Sequence, residues 1–244
     1  GYLAFYAVTA FMMPWWVAVI AAIGMTTLFG MGLERVAYRP LRDSPRISIM
    51  ISAIGASFLI ENLAIVLFDA RPKAFPVPDF FASTFVLGDV HISMVSIIIP
   101  VVTAIILAAL LWVIYRTKTG MAMRAVATDI DAARLMAIDV NRIISFTFAI
   151  GSALAAVGGI MWALKYPRLE PLMGIMPGLK CFIAAVIGGI GSIAGAVLGG
   201  LLLGRIELMT IAFLPELTGY KDAFAFVLLI VVLHNASALL LGWG

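Results

Sequence analysis

The sequence predicts an all-α polytopic membrane protein, with about six to seven transmembrane or re-entrant helices and two short helices held in a wet loop between spans. Composition is the first reason. Of 244 residues, 64% are hydrophobic and only 12% charged, with mean hydropathy +1.13, whereas ordinary globular domains carry roughly a quarter charged residues. Length is the second: apolar runs of about 20 residues recur, each enough to cross about 30 Å of hydrocarbon. The third is where the charge sits. Nine of the 16 Lys and Arg fall in two loops, Arg35 to Arg46 and Arg116 to Arg142, which the positive-inside rule places on the cytoplasmic side. The net charge of +3 is therefore an orientation signal. No basic patch is interleaved with aromatics as nucleic-acid binding requires, so no nucleic-acid partner is expected. The single cysteine, Cys181, excludes an intrachain disulfide and a multi-cysteine metal site, and reads as a small apolar filler in a helix.

Gly1 to Met13 is apolar but too short to span, and reads as the tail of a helix ended by Pro14. The chain opens on Gly rather than Met, and at least one further helix is expected upstream, so 1–244 is read as an N-terminally truncated excerpt of one transmembrane domain. Trp15 to Leu33 is the first complete span, anchored at an interface by Trp15 and Trp16. The segment ERVAYRPLRDSPR follows as a loop, with Pro40 and Pro45 opposing helix. Ile47 to Phe68 is the second span, with Ser48, Ser52, Gly55 and Asn62 giving a small or polar face. The loop from Asp69 to Ile92 would be external, and VPDFFASTFVLGDVHI permits a short hairpin. Met94 to Tyr115 is the third span, expected to bend or break near Pro100.

Ile143 to Leu164 is the fourth span and carries Thr147, Gly151, Ala155, Gly159 and Ala163 at four-residue steps, a ladder that lets a neighbouring helix come close. Lys165 to Gly174 is a short external loop. From Ile175 to Leu214 glycine density rises, and Gly188, Gly189, Gly191 and Ser192 divide the run into a short helix, a tight turn and a second helix. Two more ladders lie in that second helix, Gly191, Gly195, Gly199 and Ala196, Gly200, Gly204, where helices are expected to pack back to back. An external loop around Pro215 to Asp222 precedes a last span, Ala223 to Leu241.

The loop RTKTGMAMRAVATDIDAARLMAIDVNR, 116–142, holds five basic and three acidic residues, yet its interior reads as helix. Gly120 starts a short helix through Ala127; Thr128 or Asp129 caps a second, IDAARLMAI, with Ala132 and Ala133 as a small face beside Asp131 and Arg134. Two readings stand side by side. One is a solvated loop that orients the protein; the other is a rigid knob that docks on a cytoplasmic partner and transmits displacement.

Read together, ERVAYRPLR, ISAIGASFLIEN, GMAMRAVATDIDAARLMAIDVNRIISFTFAIGSALAAVGG, GLKCFIAAVIGGIGSIAGAVLGGLLLG and YKDAFAFVLLIVVL resemble the permease subunit of branched-chain amino acid ABC importers. The resemblance covers nearly the whole chain in order, and 120–204 is its specific part. It implies that 116–142 is a cytoplasmic coupling segment seated in a cleft of an ATPase, with Arg124, Ala125, Asp131, Ala132, Ala133 and Ile138 at the contact. It also implies a second, homologous permease subunit, two cytoplasmic ATPase subunits, a periplasmic substrate-binding protein, and a hydrophobic amino acid carried across the bacterial inner membrane. Two departures stand out: Ala137 occupies a place where the family usually has glycine, and HNASALLLGWG does not look like the family's usual end.

Charges inside spans are costly and normally face a cavity or a partner, so Glu61, Asn62 and Glu207, together with Arg205, are candidates for a translocation path. Competing readings are surface wetting of Glu61, pairing of Arg205 and Glu207 with each other or with neighbouring loops, and burial in a subunit contact. GGIGSIAG has glycines near the spacing of a dinucleotide fingerprint but no preceding strand, so it reads as packing; with no GxxxxGK[ST], ATP hydrolysis is expected on a separate chain. His91 and His234 lack a second ligand at metal spacing, no pair of catalytic groups is evident, and no metal or other cofactor is expected. The sequon at Asn235 reads as chance. Alternatives to the amino acid importer are a permease for urea or short-chain amides of the same family, and a stand-alone secondary transporter or channel hinged at Pro100 and at Gly188 to Ser192.

Overall fold

Five helices among the described residues are long and apolar enough to cross a membrane. The computed structural model describes residues 1–41, 46–78, 81, 83–87, 90–189, 191–213 and 227. The chain divides into two compact units, Gly1–Leu172 and Met173–Gly244.

In the first unit α1 (Tyr2–Thr9) leads to α2 (Trp15–Leu33). Pro14 stands just before α2, where a missing N–H leaves no helical bond unmade, and its carbonyl accepts from the Ala18 N–H at 3.1 Å. Thr26 and Thr27 fold their hydroxyls back onto the carbonyls of Ala22 and Ile23, each at 2.7 Å, which satisfies both polar groups inside an apolar span. The loop expected from Glu34 is in fact a continuation of helical winding. A π-helical turn, Glu34–Tyr38, is closed by the Arg39 N–H donating to the Glu34 carbonyl, and a 3-10 turn, Arg39–Leu41, contains Pro40. The α geometry ends at Leu33 as expected, but wider and then tighter turns carry the helix through Leu41.

Next come α3 (Arg46–Phe68), β1 (Lys73–Ala74) and the hairpin β2 (Thr84–Leu87) and β3 (Val90–Ser93), paired antiparallel from Thr84↔Ser93 to Leu87↔Val90. Helix α4 (Met94–Arg116) runs unbroken past Pro100. The break expected there is absent, because proline removes only the bond to the carbonyl one turn earlier. Three elements follow: α5 (Lys118–Thr128), α6 (Ile130–Leu135) and α7 (Val140–Lys165). Strand β4 (Arg168–Leu169) pairs antiparallel with β1, setting Lys73 opposite Leu169.

The main seam of this unit lies between α2 and α7. A Cβ added at Gly30 would fall on the Ser152 side chain, so glycine there lets Ser152 of α7 pack directly against the α2 backbone. Ala18 and Ala22 of α2 and Ala156, Ile160 and Ala163 of α7 are buried. Many large apolar side chains on the spans, among them Ile20, Leu28, Val66 and Ile105, are exposed in this chain, as lipid-facing positions are.

In the second unit α8 (Ile175–Gly188) and α9 (Ile193–Phe213) form a helical hairpin. Gly189 and Gly191 turn the chain with φ of +91° and +100°, a region side chains oppose. The Ser192 hydroxyl caps α9 by accepting from the Gly195 N–H at 3.1 Å. The backbones meet directly: a Cβ at Gly188 would strike the Gly195 carbonyl, one at Gly195 the Gly188 carbonyl, and one at Gly199 the Ala184 carbonyl. Ile183, Leu203 and Ile187 pack beside this contact. The loop at Pro215 to Asp222 and the last expected span, with His234 and Asn235, lie outside the described residues apart from Val227.

Candidate functional site

The segment from Arg116 to Arg142 is a knob built by capping. Between α4 and α5 the chain reverses at Thr117 alone, whose Oγ1 accepts from the Gly120 N–H at 3.1 Å and also contacts the Val113 carbonyl. Gly120 is required there, since a Cβ would collide with the carbonyls of Val113 and Ile114. Asp129 caps α6, its Oδ1 accepting from the N–H groups of Asp131 (2.9 Å) and Ala132 (3.1 Å). Asp139 caps α7, accepting from the Arg142 N–H at 3.2 Å. Each helix start is thereby tied by a side chain, which satisfies N–H groups that have no intrahelical partner.

Helix α6 ends in a Schellman motif. The Ile138 N–H donates to the Ala133 carbonyl (3.2 Å) and the Ala137 N–H to the Arg134 carbonyl (3.1 Å), with Ala137 left-handed at φ +58°. That conformation explains glycine as the favoured residue at this place: the backbone needs it, independently of any tight contact to a partner.

The caps enclose a small apolar interior of Val126, Ala133 and Val140, with Ile138, Ile143 and Ile144 packed against it. Of the six expected contact residues, Arg124, Asp131 and Ala132 lie on the outside and Ala125 is half-buried. Ala133, 3% exposed, faces the knob's interior, and half-buried Ile138 packs on it. The Arg124 guanidinium lies over the Tyr115 ring at 5.3 Å. Sequence reasoning missed Leu135 and Met136, which are 88% and 77% exposed. On a helix Leu135 is turned about 200° from Ala133, so burying Ala133 forces Leu135 outward, a signal available once the inward residue is chosen.

The polar residues inside spans find local partners. Glu61 accepts from the Ser57 hydroxyl at 3.1 Å and Asn62 donates to the Phe58 carbonyl at 2.7 Å, both one turn back on α3. Glu207 forms an ion pair with Lys180 of α8 at 2.8 Å; Arg205 is exposed. The pairing of Arg205 with Glu207 does not occur, because residues two apart lie on opposite helix faces. In the Thr147 ladder, a Cβ at Gly151 would meet nothing, one at Gly159 only the Gly1 nitrogen at 3.6 Å, while Ala155 is exposed. The close approach of α7 falls one position over, at Ser152. Among the second unit's glycines, Gly195 and Gly199 touch backbone, Gly200 has only the Ala184 Cβ at 3.9 Å and Gly204 has open space.

Sequence reasoning also missed Glu34. Placed by sequence in a wet loop, it is 1% exposed, and its Oε2 accepts from the Ser145 hydroxyl of α7 at 2.7 Å. Between α2, α4 and α7 lies an apolar cavity of about 390 Å³, whose walls include Trp15, Ile23, Phe81, Val95, Val157 and Ile160. It suits hydrocarbon and offers no charged partner for an ammonium or carboxylate.

A family model described as branched-chain amino acid transport system, permease component, matches residues 1–233. The chain belongs to this permease family. The permease is 44% identical to the high-affinity branched-chain amino acid transport system permease protein BraD of Pseudomonas aeruginosa over 223 residues, 88% of this chain and 71% of that protein. It is 40% identical to LivH of Escherichia coli over 246 residues, 96% of this chain and 79% of that one, and 41% identical to LivH of Salmonella typhimurium over 219 residues, 88% and 70%. No solved structure matches it. It is a multi-pass membrane transport subunit rather than an enzyme, of the ABC importer class, and these relatives favour that reading over a stand-alone transporter or a urea or amide permease.

Proposed function

We propose that this permease carries branched-chain or other hydrophobic amino acids across the bacterial inner membrane as one of two homologous permease subunits, driven by two cytoplasmic ATPase subunits and supplied by a periplasmic binding protein. The substrate class rests on the names of its relatives, high-affinity branched-chain amino acid permeases. The knob is the ATPase dock and 116–142 the coupling segment of the domain. Its apex presents Asp131, Ala132, Leu135 and Met136, with Arg124 alongside, while Ala133 and Ile138 hold the apex in shape from within.

The observation that carries this reading is the triple capping around a packed interior. A rigid knob passes displacement to α4 and α7, where an unstructured loop would absorb it. ATP-driven closure of the ATPases would push the knob and switch the helices between inward- and outward-facing states. Glu61, Asn62 and Glu207 are retained as path candidates, their local partners leaving room for exchange with a passing polar group. The small-residue faces at Gly151, Ala155, Gly159, Gly200 and Gly204, which little of this chain approaches, are proposed to receive neighbouring helices of the assembly.

The test uses the whole importer, co-expressed in membranes. Cys181 is exposed, so it is first replaced by serine; Ala132→Cys is then crosslinked. Capture of the ATPase, together with ATP-dependent uptake of leucine that excess isoleucine competes and urea does not, is the expected result. A crosslink that never catches an ATPase, with uptake intact, would sink the docking assignment.

A further inference from the structure

The surroundings of Glu34 connect three spans. The residue opens the π-helical turn at the end of α2, and its carboxylate accepts from Ser145 across 111 positions of sequence. Ser145 directly follows Ile143 and Ile144, which pack on the knob's interior. From the same turn, the Ala37 carbonyl accepts from the Ser52 hydroxyl of α3 at 3.2 Å. Tyr38 packs on Phe148 of α7 with ring centroids 5.1 Å apart. One turn earlier, Gly30 touches Ser152. A single short turn thus grips α2, α3 and the first turns of α7. Burying a carboxylate to 1% exposure is costly unless it is hydrogen-bonded, and π turns concentrate at functional sites.

We propose that Glu34 is a positioning residue for coupling. Through Ser145 its carboxylate fixes the knob-bearing start of α7 to the junction of α2 and α3, so that displacement of the knob moves three spans as one body. A packed seam of alanines and glycine alone would let α7 slide along α2; a directional hydrogen bond fixes register as well as distance. The inference rests on the knob being the ATPase dock.

The experiment measures leucine uptake and ATP hydrolysis in the same liposomes containing the full importer. It compares Glu34→Ala, Glu34→Gln, Ser145→Ala and the Glu34→Ala/Ser145→Ala pair. Expected is ATPase retained on the vesicles and ATP still hydrolysed, with leucine carried per ATP falling about tenfold in either alanine variant and no further in the pair. Glu34→Gln, which keeps an acceptor oxygen for Ser145, recovers most of the loss. Unchanged uptake per ATP in Ser145→Ala overturns the proposal even where Glu34→Ala fails to accumulate. So do additive losses in the pair, or loss of the ATPase in step with uptake, which marks a merely structural contact. Failure of the docking reading is seen separately, as an Ala132→Cys crosslink that captures no ATPase in otherwise unsubstituted importer.

Discussion

The knob and the α8–α9 hairpin are both tight helical turns, and they are held by opposite means. In the knob, side chains do the joining: Thr117, Asp129 and Asp139 each cap a helix, and a few aliphatic residues fill the interior. In the hairpin, side chains are excluded: Gly188, Gly195 and Gly199 bring backbone onto backbone, and Gly189 and Gly191 turn the chain with positive φ. The difference follows the solvent. In the wet loop a cap satisfies N–H groups that water could also reach, so its loss is graded. Within an apolar pair of helices, close approach itself is the attraction, and one added methyl removes it.

The largest effect expected from this contrast is in the hairpin. Gly195→Val drives side-chain atoms into the Gly188 carbonyl and should cost more than about 3 kcal/mol, the upper range for overpacking. The permease should then fail to accumulate in membranes, as quantified by immunoblot against wild type. Normal accumulation would mean that the two backbones are not in contact. Asp129→Ala comes next. It removes the acceptor for two N–H groups and should destabilise the knob by about 1 kcal/mol. Insertion should be normal and uptake reduced severalfold, with faster amide exchange confined to 129–138.

Ala137→Gly should act in the other direction. Relieving a left-handed alanine stabilises by about 1 kcal/mol, visible as a raised melting temperature of the purified importer. A lower melting temperature would show that the alanine methyl is held by a partner. The smallest effect is expected at Gly204→Ala, where nothing lies within 4 Å; accumulation and uptake should stay within about 0.5 kcal/mol of wild type. A larger loss there would locate the second permease against this face, which would sharpen the comparison instead of breaking it. Ala133→Arg would disrupt the knob's own interior, so Ala132 is the informative position for docking.

Much of this is legible in the sequence. Spans α2, α3 and α4 begin and end within a residue or two of their apolar runs, because hydrocarbon admits few alternatives to a continuous helix. The turn at Gly188 to Ser192 and the hairpin between Thr84 and Ser93 were marked by local punctuation. The start of α5 was misplaced by two residues, since Gly120 stands inside the first turn to clear α4, while Thr117 caps it. The two-residue pairing of β1 with β4, almost a hundred positions apart, left no pattern to read.

The sequence by itself determined what must lie in lipid, what must stay in water and where the chain turns, because hydration, glycine freedom and caps act over a few neighbouring residues. Which of two adjacent alanines faces inward, that Glu34 is buried on Ser145, and that Glu207 pairs with Lys180 of the neighbouring helix were decided only by tertiary structure. Each depends on the rotation of one helix against another, and a turn of 100° per residue exchanges inside for outside without any change in composition.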